Sequence, residues 1–370
     1  MKQLAYVRRS PYRALVGLTV ALAIGPPAVI FRSVVWAQGA AHDETGALTA
    51  TPAEAAGKTP IEKQFAGTYA ELDTFVGSGT FYRRYSDPYI SNALYLKPVY
   101  HLPTKRDLTL NARLYVEVEF TQPDNPEGRR FYPLDPWFWL AARNLYTEPR
   151  SRIRFGGQAR LVLPLSYESR YQHLLAGVCL GANATRETEF GRPDAKGKRW
   201  GLSVTLAFVG VKNFNTSVLR GNGPGDTTGC MSAPPATTES SAAEPGAASS
   251  DRCGGPLNTN ISLLSAASVN VTRGRWAAGA TMYLINNFRY TAPIDAFSST
   301  NTPLGREDLT WGILTLAYEI RPHVSIAVGL SSQQPALDTR YRYPRFPFFD
   351  FSGTNANDYT QAFVGITGTI

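Results

Sequence analysis

Residues 108–120, LTLNARLYVEVEF, alternate without a break between apolar positions and polar or amphipathic ones. The apolar set begins at Leu108 and ends at Phe120, and the other set includes Asn111, Arg113 and Glu117. This period of two predicts a β-strand with one apolar and one polar face. Its thirteen residues exceed the roughly five or six of an ordinary strand and suit the about nine to eleven that a tilted membrane-spanning strand needs.

The same alternation recurs along the rest of the chain, and twelve segments are predicted to be strands. They are 72–83, 92–102, 108–120, 137–146, 152–165, 174–187, one that begins at residue 200, 260–272, 276–290, 309–320, 324–333 and 359–370. The first segment has the poorest alternation, and the pattern leaves ten or fourteen strands as alternatives.

The connections between these segments alternate in length. The short ones are 103–107, 147–151, 190–199, 273–275 and 321–323, the long ones are 122–135, 213–256, 291–308 and 336–358, and two of intermediate length are 85–91 and 166–173. Transmembrane barrels combine short periplasmic turns with longer external loops. We therefore predict an all-β fold, a transmembrane antiparallel up-and-down β-barrel of about twelve strands, with short periplasmic turns, long extracellular loops and both chain ends on the periplasmic side.

The N-terminal segment has the features of a secretory signal peptide. Arg8, Arg9 and Arg13 precede an apolar run at 14–24, and small residues around Ala37 suit cleavage. An uncleaved membrane anchor is the alternative for this segment. The predicted division is a signal peptide at 1–37, a flexible periplasmic segment at 38–71 and the outer-membrane barrel at 72–370.

The composition permits a membrane barrel and disfavours a nucleic-acid-binding protein. A mean hydropathy of −0.20 is low for a membrane protein, but a barrel turns only alternate residues toward lipid and keeps a polar lumen. The net charge of +8 becomes +3 when the five basic residues of the leader are set aside. The remaining charges are scattered, without a basic run that contains aromatic residues, so no nucleic-acid partner is predicted.

Three features together favour lipid over a soluble core: long strands, connections that alternate in length, and export. Lipid cannot satisfy open strand edges, so only a closed sheet can span it. An exported soluble β-protein is the alternative. In its pattern of hairpins, rather than in any sequence motif, segment 72–370 resembles bacterial outer-membrane β-barrels of the porin-like kind.

This resemblance implies a location in the outer membrane of a Gram-negative bacterium. It also implies contact with outer-membrane lipid and lipopolysaccharide, and insertion by the barrel-assembly machinery. Such proteins often end on an aromatic residue that assists assembly, whereas this chain ends on Ile370. The sequence carries no signal for an oligomer interface, and it leaves the oligomeric state open.

Charged residues on the polar faces provide the main indication of function. By the alternation, the residues that point into the lumen are Lys97, Arg113, Glu117, Glu119, Arg143, Arg152, Arg154, Arg160, Glu187, Arg289 and Glu319. Opposed charges along a pore select polar solutes, and we therefore expect an outer-membrane channel for the passive diffusion of small hydrophilic solutes through a charged lumen.

The alternative is a closed structural or surface-binding barrel that acts through its extracellular loops. In that case the lumen charges pair across strands and fill the interior. A barrel of twelve strands lies between the filled eight-stranded and the open sixteen-stranded cases, so the strand number does not decide between the two.

The cysteines divide into a pair and a single residue. Cys230 and Cys253 flank a low-complexity tract in the longest loop, and an oxidising compartment favours a disulfide between them, with free thiols as the alternative. Cys179 falls on the lumen face, where we expect a small buried residue. With no histidine near the pair, no metal site is predicted, and no cofactor is expected.

An outer-membrane lipid hydrolase is a minor alternative. Such an enzyme needs a serine activated by an adjacent base, and the nearest pattern is Ser166 and Ser169 before His173. The sequence lacks the close succession of His, Ser, Asn and Gly that marks outer-membrane phospholipases, and nothing fixes the geometry of these three residues. We therefore do not predict an enzyme.

Overall fold

The computed structural model describes residues 63–77, 89–104, 107–121, 131–193, 197–218, 257–290, 305–336 and 360–370. The predicted signal peptide and the predicted disulfide between Cys230 and Cys253 lie outside the described residues. No helix in the described part of the chain is long and apolar enough to cross a membrane.

The described residues contain fourteen strand segments and one short helix between them. They are β1 (Tyr69–Gly77), β2 (Ile90–Lys97), β3 (Val99–His101), β4 (Leu108–Glu119), β5 (Phe131–Pro133), β6 (Trp137–Thr147), β7 (Arg154–Val162), α1 (Tyr167–Tyr171), β8 (Leu174–Phe190), β9 (Trp200–Asn215), β10 (Thr259–Arg273), β11 (Trp276–Arg289), β12 (Arg306–Arg321), β13 (Val324–Pro335) and β14 (Thr360–Thr369).

Twelve of these segments form a closed antiparallel barrel in sequence order, with β14 paired to β1. The short segments β3 and β5 are additional: both pair with β4, one after β2 and the other before β6. Pro98 separates β2 from β3, since proline has no N–H to donate to the ladder. The predicted twelve-stranded barrel is therefore confirmed, and its closure leaves no open strand edge of the kind that lipid cannot satisfy.

Both ends of the barrel sequence meet at one rim. The N–H of Ile370 donates to the carbonyl of Thr68 at 2.9 Å, and the N–H of Gly67 donates to the carbonyl of Ile370 at 3.2 Å. The tight turn between β10 and β11 lies at this rim as well, and Gly274 has φ +62° there, which glycine adopts readily. We call this rim the turn end and the opposite rim the loop end.

Several boundaries differ from the sequence prediction. β1 begins at Tyr69 rather than at residue 72, and β8 continues to Phe190 rather than to residue 187. β7 begins at Arg154, because Arg152 lies in the preceding turn with φ 56°. The connection predicted at 166–173 contains α1, which begins after Ser166, and the Ser166 side chain accepts a hydrogen bond from the N–H of Ser169 as a helix cap.

The outer face of the barrel wall is apolar and the inner face carries buried charged residues, which is the reverse of the arrangement in a soluble protein. Leu114 is 46% exposed on the outer face, whereas its neighbour Arg113 is 3% exposed on the inner face. Leu161 and Arg160 repeat the contrast on β7, at 42% and 4%. Monomeric soluble proteins rarely expose so much contiguous apolar surface, and a lipid-facing belt consists of it.

Aromatic rings gather at the turn end of the outer face. Phe190 stacks on Trp200 with ring centroids 6.3 Å apart, and Trp276 packs on Tyr318 at 4.6 Å. Aromatic side chains are enriched where a barrel meets the membrane–water interface. These two pairs therefore mark one border of the apolar belt.

Candidate functional site on the inner wall

The predicted lumen residues fall into distinct groups in the structure. Arg113, Glu117, Glu119 and Arg160 are buried on the inner wall, and Lys97 is half-buried there. The others lie at the rims or in turns. Arg289 is at the loop end, and the residues toward the turn end are Arg143, Arg152, Arg154, Glu187 and Glu319. The buried residues of the first group belong to two clusters.

Three of the basic residues contact two indole rings. The Cζ atom of Arg113 lies 3.9 Å from the ring centroid of Trp137, and that of Arg160 lies 5.3 Å from the same ring and 5.6 Å from Trp139. The Nζ atom of Lys97 lies 5.2 Å from the Trp139 centroid. A ring face attracts a cation, so these five residues form a buried basic–aromatic cluster on the inner wall.

Phenol groups hold the two glutamates at the loop end of β4. Tyr115 donates its hydroxyl to Glu117 at 2.9 Å, and Tyr89 donates to the same carboxylate. Tyr132 donates to Glu119 at 3.1 Å. These carboxylates are fixed by neutral donors of the wall itself, which lowers the cost of burying their charge.

The ion pairs lie near the rims. Arg154 of β7 pairs with Glu187 of β8 near the turn end. Arg289 pairs with Glu307 at 3.2 Å at the loop end of β11 and β12. Both predicted arginines are thus engaged with an acidic residue of the neighbouring strand. Arg143 is exposed where the pairing of β6 with β7 is irregular, so the strict alternation used for its assignment does not hold there.

Two acidic residues of the inner wall were not identified from the sequence. Glu71 and Asp73 both lie buried on the inner face of β1. The alternation of this strand is poor in the sequence, and its assigned start at residue 72 left Glu71 outside it. The available signal was the spacing of two between the acidic residues, which places them on one face of a strand.

Five glycines of the inner wall stand directly opposite larger side chains of a neighbouring strand. The pairs are Gly329 with Phe363, Gly365 with Asp73, Gly156 with Asn183, Gly181 with Gln158 and Gly201 with Thr272. A Cβ atom on Gly329 would lie 2.2 Å from the Phe363 ring, and one on Gly365 would lie 2.1 Å from Asp73 Oδ1. Each larger side chain therefore lies along the wall, over the glycine, rather than out into the lumen.

The half of the interior nearer the loop end is densely packed. Tyr283 and Ile285 of β11, Trp311 of β12 and Val209 of β9 are buried members of one hydrophobic cluster. Within the described residues, the cluster draws side chains from nearly every strand of the barrel. Buried side chains therefore occupy part of the loop-end half of the lumen.

The half of the interior nearer the turn end is more open on β7 to β10. Along β9 the inner residues change from partly exposed Ser203 and Thr205 to buried Ala207 and Val209. On β8 the same change runs from exposed Asn183 to buried Cys179, which is a free thiol on the inner face, in agreement with the sequence prediction. A polar and partly accessible surface therefore faces the turn end.

Helix α1 is tied to strands on both sides of its loop. Asp135, which precedes β6, accepts hydrogen bonds from the N–H of Ser166 at 2.7 Å and from the hydroxyl of Ser169. The carbonyl of Gln172 accepts from the side-chain amides of Asn215 at 2.6 Å and Asn258 at 2.7 Å. Burial raises the pKa of Asp135, and the serine donors act in the opposite direction.

These contacts also bear on the lipid-hydrolase alternative. The hydroxyl of Ser169 is fully buried and donates to Asp135, and Ser166 caps the helix. The ring nitrogen Nε2 of His173 is buried and has no hydrogen-bond partner. The serines thus have structural partners other than the histidine. Within the described residues, no group of three or more His, Cys, Asp or Glu side chains lies together as a metal site needs.

Comparisons with known proteins give structural similarity only. No family model matches the chain, and no curated protein matches it. An outer membrane channel from Pseudomonas putida F1 has 11% identity and a TM-score of 0.48 over 83% of this chain and 96% of its own. Outer membrane phospholipase A from Escherichia coli has 11% identity and a TM-score of 0.29 over 81% of this chain and 91% of its own.

A porin refined at 1.8 Å has 9% identity and a TM-score of 0.30 over 82% of this chain and 100% of its own. With TM-scores below 0.5, these similarities carry no conclusion about activity. The closed barrel and its apolar outer face nevertheless fix the architecture. The chain has the fold of an outer-membrane β-barrel.

Proposed function

We propose that this barrel is an outer-membrane channel for the passive diffusion of small hydrophilic solutes. The observation that carries the proposal is the accessible polar surface on the inner wall of β7 to β10, which includes Asn183, Ser203 and Thr205. Hydrophilic solutes that cross a membrane need such a surface, because polar groups that leave water require polar partners along the path.

The glycine pairs support the same function. Large inner side chains such as Phe363 lie along the wall over a glycine, and this arrangement preserves the cross-section of the lumen. In this proposal the turn end faces the periplasm, and the loop end faces the exterior among lipopolysaccharide. The barrel-assembly machinery inserts the strands in that orientation.

A closed barrel that acts through its extracellular loops is the second candidate. The dense packing of Tyr283, Trp311 and their neighbours near the loop end favours it. The two candidates differ in one property, because a channel conducts through this packed region and a closed barrel does not.

Single-channel recording in a planar bilayer distinguishes them. The protein is purified from outer membranes, and its folded state is checked by heat-modifiable migration on a gel. A channel gives stable conductance steps that increase in the Trp311→Ala variant, because the packed region limits the lumen. Absence of current from both folded proteins would refute the channel and would direct attention to the loops.

A further inference from the structure

The charged residues of the inner wall are not evenly distributed around the barrel. The basic–aromatic cluster and the buried acidic residues Glu71, Asp73, Glu117 and Glu119 lie on β1 to β7. Both signs of charge occur in this sector, and the arginines of the cluster and these four carboxylates are buried. On this side of the wall, the half-buried Lys97 is the cluster's accessible charge, and the other charged groups named here are buried.

The accessible part of the wall has a different chemistry. Six partly or well exposed inner residues on β7 to β10 define a hydroxyl–amide wall: Gln158, Asn183, Thr185, Ser203, Thr205 and Asn270. All are neutral, and the hydroxyls of Thr185 and Thr205 lie 3.0 Å apart. Of the charged residues on the same face of these strands, Arg154 and Glu187 form an ion pair near the turn end, and Glu189 is exposed at that rim.

Hydroxyl and carboxamide groups both donate and accept hydrogen bonds. They can replace the water around an uncharged solute that carries several hydroxyl groups. They cannot replace the hydration of an ion to the same degree, since an ion leaving water needs a compensating charge. The wall is therefore suited to a solute that is polar but neutral.

We propose that the channel admits uncharged polyhydroxylated solutes, of the sugar or polyol class, in preference to ions of similar size. This inference rests on the proposed channel function, and it departs from the sequence prediction of a charged lumen. Most of the charges found by sequence analysis are buried in the wall, lie in turns or are paired near the rims, and the accessible inner surface in the middle of β7 to β10 is neutral.

The test combines two measurements on the purified full-length protein. In a planar bilayer with a KCl gradient, the reversal potential reports ion selectivity, and we expect it near zero. In proteoliposome swelling, mannitol is compared with gluconate and with protonated glucosamine, and we expect mannitol to enter at least several-fold faster. Equal or faster entry of either charged solute, or strong selectivity for one ion, would overturn the inference.

Variants of the hydroxyl–amide wall sharpen the test. Thr205→Asp is expected to shift the reversal potential toward cation selectivity, and Thr205→Lys toward anion selectivity. Arg150→Gln, in the turn between β6 and β7, is the control and should leave the reversal potential unchanged. If neither Thr205 variant moves the reversal potential of a conducting channel, this wall does not line the path. If the wild-type protein passes neither ions nor solutes, the channel function itself fails, which is a separate result.

Discussion

Phe363 of β14 lies directly opposite Gly329 of β13, and its ring occupies the space where a side chain of residue 329 would begin. The same relationship joins Asp73 to Gly365 across the pair of strands that closes the barrel. Because these pairs lay large groups along the wall, the glycines help to set the width of the lumen.

The Gly329→Ala variant should therefore narrow the lumen. A methyl group at residue 329 would lie 2.2 Å from the Phe363 ring and 2.5 Å from the carbonyl oxygen of Leu314. The ring must therefore move toward the lumen and the strand backbone must shift, and such overpacking typically costs about 1–3 kcal/mol. We expect a lower single-channel conductance and a lower free energy of unfolding. Gly368→Ala on β14 is the matched control, because a Cβ there meets nothing within 4 Å. A conductance equal to wild type in Gly329→Ala would contradict this account.

Adjacent residues of β9 test the direction of the wall. Leu206 is exposed on the outer face and Thr205 lies on the inner face. Arginine at position 206 should lower the free energy of unfolding in lipid by about 2–4 kcal/mol, because its charge must enter the membrane. Arginine at position 205 should cost much less. Denaturant unfolding in liposomes measures the free energy of unfolding of both variants. Equal losses of stability in the two variants would mean that the inner and outer faces are assigned incorrectly.

A double-mutant cycle tests the contact between Arg113 and Trp137. The cation lies 3.9 Å from the ring centroid, and contacts of this kind contribute about 0.5–2 kcal/mol. The cycle measures the free energy of unfolding of Arg113→Met, Trp137→Leu and the double variant by denaturant unfolding. Subtracting the effects of the two single substitutions from that of the double variant leaves the coupling energy between the two side chains. A coupling energy of zero would show that the basic–aromatic cluster does not stabilise the wall through this contact.

The buried carboxyl of Asp135 makes the stability of the α1 loop depend on pH. Because burial raises its pKa above the ordinary value of 3.8, the folded protein binds the proton more tightly than the unfolded chain. This contribution to stability is complete below pH 3.8 and is lost as the pH rises through the folded-state pKa.

We therefore expect hydrogen-exchange protection factors in 163–173 to decrease with rising pH above 3.8. The Asp135→Asn variant should lose that dependence, because residue 135 no longer titrates. Glu148→Gln is the control, since Glu148 lies in an exposed turn at the other rim, where hydrogen bonds to Ser151 lower its pKa. An unchanged pH dependence in Asp135→Asn would show that another group is responsible.

The sequence by itself determined the strands and the direction of most side chains. The alternation of 108–120 placed Arg113 inside and Leu114 outside, because successive side chains of a strand point to opposite faces whatever the strand packs against. The same local rule failed where the backbone leaves the extended conformation. Arg152 lies in a turn with φ 56°, and residues 167–171 form a helix whose Ser169 donates a hydrogen bond to the distant Asp135.

Only the tertiary structure decided which inner residues remain accessible. Arg160 and Thr205 both point inward by alternation, but Arg160 is buried against Trp137 and Trp139 whereas Thr205 is partly exposed. Accessibility depends on the register between strands, and that register joins residues as distant in the chain as Asp73 and Gly365. Period-two alternation specifies the face of each side chain and contains no information about its neighbours across the barrel.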